Sequence, residues 1–359
     1  MDATDTATMP EARRALEICN ACRYCEGFCA VFPAMERRRA FPAADLGFLA
    51  NLCHGCNGCY HACQYAPPHE WAVNLPASLS RVRRESWMET IRPAFLRSLL
   101  QRPWAAVAGA VVAALIVALA SAQGIGRAHV GPGAFYDVIP LSALIALGSV
   151  AFLFALLAMA ASTLAAWRGL GGVPRPIHVL RGLHDAATLK NLGGGGDGCP
   201  YPGEKPSRAR RHLHHALAGG FLLAFAATCV VTVYEHLLGW HAPYAVFSLP
   251  VLLGTVGGVL MLVGAAGLLH LKRVADPAPL AVETLPTDRV LLWLLGAIAA
   301  SGLLLLALRV TVAMPLLLTI HLALVLGFFV TMPFGKFLHA PHRLAALVRD
   351  AMERDLPHA

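Results

Sequence analysis

The stretch Cys19-Asn20-Ala21-Cys22-Arg23-Tyr24-Cys25-Glu26-Gly27-Phe28-Cys29 shares its spacing, C-x2-C-x2-C-x3-C, with Cys53-His54-Gly55-Cys56-Asn57-Gly58-Cys59-Tyr60-His61-Ala62-Cys63. This is the ligand run of bacterial-type [4Fe–4S] proteins, in which three close thiolates hold one cubane and the fourth crosses to the other. It predicts one cluster on Cys19, Cys22, Cys25 and Cys63, and a second on Cys53, Cys56, Cys59 and Cys29. Structural zinc sites usually space cysteines as two pairs with a longer gap, so the runs favour iron–sulfur over zinc. The proline that usually follows the fourth cysteine is replaced by Ala30 and Gln64, with Pro33 and Pro67 three residues later. Residues 43–52 read as helix rather than strand. The expectation for residues 1–100 is therefore an α-helical ferredoxin-like domain, stapled by its clusters because so short a chain has a thin apolar core.

Beyond this domain the character of the chain changes. Of 359 residues, 57% are hydrophobic and 14% charged, with mean hydropathy +0.58. A soluble domain carries about a quarter charged residues. The apolar excess lies in six runs long enough to cross a bilayer, 104–122, 140–166, 213–238, 246–271, 290–308 and 314–333. The fold class expected is all-α, with the ferredoxin-like domain followed by a six-helix transmembrane bundle over 101–345 and a tail over 346–359.

The net charge of +8 could suggest nucleic acid. The basic residues instead flank the spans, where they set topology. Arg81, Arg83, Arg84, Arg92, Arg97 and Arg102 precede the first span. Eight more fall in the loop 168–212, and Lys272, Arg273, Arg289, Lys336 and Arg343 border later spans, whereas the opposite loops hold Arg127 and Arg309. Both termini and the cysteine domain are thus expected on the cytoplasmic side of the inner membrane. The polar start, lacking a basic-apolar leader, agrees, as do clustered thiolates, which a reducing compartment keeps as metal ligands.

Ionisable residues inside spans are functional candidates. His214, His215, His236, His321 and His339 are the candidate ligands of one or two haem b groups, since haem is held between helices by imidazoles. His321 and His339 would share a face about 27 Å apart if one helix carried both. His236 would then pair with His321 in an outer site, and His214 or His215 with His339 or His270 in an inner one. Headgroup contact is the competing reading for those at span ends. His54, His61 and His69 beside the cysteines read as packing groups.

The loop 168–212 holds an amphipathic stretch over 177–192, suited to the membrane surface or to covering the cluster domain. It also holds the run Gly193-Gly194-Gly195-Gly196-Asp197-Gly198-Cys199, read either as a linker or as a docking loop near a cofactor. The role of Cys199 is open at this level.

Together, the double cysteine motif, GGGGDGCPYP, RRHLHH, YEHLLGWHAPY, SLPVLLGTVGG, LLTIHL and MPFGKFLHA resemble the tricarballylate or citrate utilization protein B family. The membrane half is also similar to the haem-bearing gamma subunits of nitrate reductases. The resemblance implies an electron carrier that reoxidises a partner FAD-dependent dehydrogenase, which acts on tricarballylate or a citrate-like acid. Electrons would pass through the clusters and haem to membrane quinone. Residues alone leave open the reverse flow, from quinol to a soluble reductase, and a membrane-bound iron–sulfur redox sensor without haem.

Overall fold

The computed structural model describes residues 5–122, 125, 129–131, 133–194 and 196–356. Arg127 and Gly195 lie outside the described residues. The cysteine domain is helical, with α1 (Asp5–Cys22), α2 (Val31–Glu36), α3 (Ala43–Leu52), a single turn α4 (Gly58–His61) and α5 (Leu75–Thr90). Ala12, Ala15 and Leu16 sit at helical spacing on α1 and bury against Phe32, Met35, Leu46, Leu49 and Leu79. Each fully buried Leu or Phe contributes roughly 1.5–3 kcal/mol. Asn74 starts α5 by accepting the Ala77 N–H at 3.1 Å, with Pro76 in the first turn. Buried Asn51 of α3 accepts from Trp87 Nε1 at 2.9 Å and donates to Ser86 Oγ at 3.0 Å, fixing α3 on α5.

Among the described residues, six helices are long and apolar enough to cross a membrane. They lie in α6 (Pro103–Ser121), α7 (Leu141–Leu170), α9 (Ala209–Leu237), α10 (Leu249–Val274), α11 (Leu285–Leu308) and α12 (Met314–Thr331). The chain is a multi-pass membrane protein, and side chains such as Val150, Leu157 and Leu222 face outward from its bundle. Helix α9 packs most extensively on α10, α10 on α11, α11 on α12, and α12 on α6 and α7. The α9–α10 approach is backbone to backbone. A Cβ on Gly264 would meet Leu217 N at 2.5 Å, and one on Gly220 would meet Gly257 O at 2.6 Å. Small residues at such crossings replace the hydrophobic drive that lipid removes.

Two departures from the sequence reading bear on the site. Helix α9 begins at Ala209, before its apolar run, and holds cations in its first turn against the helix dipole. Tertiary bonds offset this, because Arg210 donates to His54 O and Arg211 to Thr188 O, at 3.1 and 2.7 Å. Helix α12 ends at Thr331, and short 3-10 turns cover Met332–Phe334 and Lys336–Leu338 before α13 (His339–Arg354). Pro333 has no N–H with which to continue α12. His321 and His339 are therefore on different helices, contrary to the assumption behind their shared face.

Helix α13 carries most of the segment expected as a tail, and it folds back on the cysteine domain. Glu353 accepts from Arg38 at 2.7 Å, and Asp350 accepts from Arg37 at 2.6 Å. The amphipathic helix α8 (Pro176–Ala187) stacks on the other side of α13, where Gly182 lies against Val348. Its Ile177, Leu180 and Leu183 point outward.

Candidate cluster and haem site

The two cysteine runs fold into one another. Cys19, Cys22, Cys25, Cys59 and Cys63 line one cavity of about 250 Å³. Cys29, Cys53, Cys56 and Cys59 line a second and much tighter one. Electrostatics group the thiols in the same way. Burial first, then Cys63, Cys25 and Cys22, push the Cys19 thiol up to about 12. Burial, then Cys56 and Cys53, push Cys29 well up. Cys63 of the second run thus lies with the first triplet, and Cys29 of the first run lies with the second. Cys59 borders both cavities.

The donor set suits a polynuclear cluster. Among the described residues no three His, Cys, Asp or Glu side chains converge as a single ion requires. The thiols lining a cavity would supply the one sulfur that each iron of a cubane takes. Crowded thiols repel one another as thiolates, and bound iron removes that penalty by keeping them deprotonated.

Four residues beside the second set were not recognised in the sequence as part of the site. Arg83 donates to Ala50 O and Cys53 O, both at 2.7 Å. Arg343, on α13, donates to Asn51 O at 3.3 Å and Cys53 O at 2.8 Å. Arg210 donates to Gly55 O and His54 O and lies over the Tyr201 ring. All three had read as topology signals. Burial, then Arg83, pulls the Arg343 guanidinium down to about 9, still cationic at neutral pH.

The fourth is Cys199. The glycine loop turns it inward, with Gly198 at φ +113° packed on the Ser207 backbone, where a Cβ would clash at 2.7 Å. Cys199 pairs with Ser207, and Pro200 with Pro206, in a two-residue ribbon, and Cys199 is buried beside Cys56. The contact with Cys199, then the Gly58 backbone and Arg210, bring the Cys56 thiol down to about 6, while Cys199 Sγ itself donates to Leu192 O at 3.1 Å. The docking-loop reading of the glycine run therefore describes this segment. The signal available in the sequence was a cysteine directly after a run that permits close backbone approach.

The histidines divide. His214 of α9 and His339 of α13 meet with ring centres 6.2 Å apart and planes at 82°. A metal binds an imidazole nitrogen at about 2 Å, so two rings on opposite sides of one iron have centres roughly 6 Å apart. His339 Nδ1 donates to Lys336 O at 2.7 Å, which leaves Nε2 as the lone-pair nitrogen. Burial, then Lys336 and Arg343, hold His339 well below the usual imidazole range, in the neutral ligand form. His214 Nδ1 is buried without a hydrogen-bond partner. These two residues could hold a haem iron between them.

The structure does not bring His236 to His321. His236 is exposed on α9, while His321 is enclosed, with Nδ1 2.9 Å from Ser301 Oγ and its ring over Gly302. His215 turns away to Ala187 O at 3.1 Å. His270 is exposed.

A family model described as citrate utilization protein B matches residues 95–359, and its Fer4-like domain model matches residues 12–89. Citrate utilization protein B of Escherichia coli is 43% identical over 354 residues, covering 97% of this chain and 93% of that protein. No solved structure matches the chain with significance. The chain belongs to the citrate utilization protein B family, with a helical Fer4-like domain joined to six apolar helices.

Proposed function

We propose that the chain is an electron-transfer subunit. It links a partner FAD-dependent dehydrogenase, acting on tricarballylate or a citrate-like acid, to quinone in the inner membrane. The observation that carries this reading is the joining of the second cysteine set to the bundle. Arg343 binds Cys53 O, and four residues earlier on the same helix His339 meets His214. Cys19, Cys22, Cys25 and Cys63 hold one [4Fe–4S] cluster, and Cys29, Cys53, Cys56 and Cys59 hold the other. His214 and His339 hold one haem b. Bound there, these groups supply reversible one-electron storage.

The chain's own residues set where the groups sit and what surrounds them. The crossing of Cys29 and Cys63 fixes the two sets side by side. The Lys336 carbonyl fixes the His339 tautomer. The described basic residues flanking the spans concentrate at the cysteine-domain end, which supports a cytoplasmic domain and cytoplasmic termini. His215, His236 and His321 are not assigned to the haem.

The test uses the purified protein in liposomes containing a lipid-soluble quinone. A chemical reductant added outside should bleach the visible absorbance of the cofactors, which recovers as quinone is reduced. Bleaching without recovery, or no visible absorbance at all, contradicts the reading.

A further inference from the structure

Arg83, Arg210 and Arg343 satisfy their N–H groups on the carbonyls of residues 50, 51, 53, 54 and 55. Carbonyl partners meet the hydrogen-bonding need and leave the charge. The nearby carboxylate Asp288 is engaged by Lys272 and Lys336, at 2.6 and 2.7 Å. Enclosed cations without a counter-anion are costly. The loop they surround is Cys53–Cys56, where a bound cluster with its thiolates is anionic. One hydrogen bond reaches a sulfur of this loop, from Gly55 N to Cys53 Sγ at 3.4 Å.

The first set has a different setting. Its neighbouring charges, Arg23 and Glu26, are exposed and opposite in sign, and water and salt screen them. Net charge and hydrogen bonds to sulfur are among the levers that set a cluster's reduction potential. Burial acts the other way, disfavouring the added negative charge, and the tighter second site carries more of it. Three fixed cations and the Gly55 hydrogen bond act against that penalty.

We infer that Arg83, Arg210 and Arg343 make the Cys29/Cys53/Cys56/Cys59 site the more readily reduced of the two, so that an electron entering at the exposed Cys19/Cys22/Cys25/Cys63 site moves inward to the bundle. The inference rests on the proposed function. The step is a one-electron transfer in which the outer site is oxidised and the inner site reduced. No bond forms or breaks and no proton moves. The reductant is the reduced flavin of the partner dehydrogenase. The three residues act through the site's potential and touch no substrate.

The test is an EPR-monitored redox titration of the full-length protein in detergent, with iron and sulfide counted in each sample. Cys53→Ser, which shifts or removes one signal, identifies the inner site. In the wild type that signal should titrate at the higher potential. Arg343→Gln and Arg210→Gln should each weaken its reduction about tenfold, ~59 mV for one electron, with the other signal unmoved. Arg343→Lys and Arg210→Lys should restore that reduction, because charge rather than carbonyl geometry is the cause. If Arg343→Gln costs the cluster, the wild-type order and Arg210→Gln still decide. A Cys53-dependent signal at the lower potential, or neutral variants that keep their iron and their potentials, overturns the inference. Iron-free wild-type protein overturns the function reading as well, whereas iron with the order reversed overturns this inference alone.

Discussion

The rings of His214 and His339 meet at 6.2 Å, between a helix that enters the bundle and one that leaves it for the cysteine domain. The contact exists because α12 stops at Thr331 and two short turns redirect the chain. His214→Ala and His339→Ala should each remove most of the bound haem, read as a pyridine haemochrome per chain. His215→Ala, whose ring faces Ala187, should leave it unchanged. Equal haem in all three variants contradicts the assignment.

The crossed cysteine sets give a second expectation. Cys63→Ser should perturb the same EPR signal as Cys22→Ser, and Cys29→Ser the same signal as Cys53→Ser. Grouping by run alone would put Cys63 with Cys53. Double variants decide between these, since two lesions at one site leave the other signal intact.

The α9–α10 seam gives a stability expectation. Gly264→Leu drives a side chain into the Leu217 backbone and should cost about 1–3 kcal/mol, seen as a Tm lower by several degrees in detergent. Gly219→Leu, where no atom lies within 4 Å of the added Cβ, should leave Tm unchanged. A similar fall in both variants would mean that the seam is not the cause.

The docking of α13 should respond to acid. Burial alone would raise the Glu353 carboxyl, but hydrogen bonds and charge from Arg38 and Arg349 overcome it and hold the group below its ordinary 4.5. A carboxylate depressed in the folded state stabilises above its unfolded pKa, and that contribution is lost as pH falls through the folded value. The Tm gap between wild type and Glu353→Gln should be full at pH 7 and close progressively below about pH 4.5. A gap independent of pH contradicts this account of the pair.

The cysteine spacing and the six apolar runs carried the helical domain, the bundle and the thiol sets, because spacing and length are local properties. The roles of Arg83, Arg210 and Arg343 were hidden because a cation at a span end serves equally as a topology signal. The His214–His339 pairing depended on where α12 breaks. A continuous helix through Pro333 led instead to the expected His236–His321 pair, which the fold keeps apart. The return of α13 was hidden because the Arg38–Glu353 pair joins opposite ends of the chain.

Iron, acid-labile sulfide, zinc and haem measured on the same purified sample test the central claim most directly. About eight iron and eight sulfide from two cubanes, with haem b in addition, is the predicted result. Stoichiometric zinc with little iron, or a preparation without haem, would contradict it.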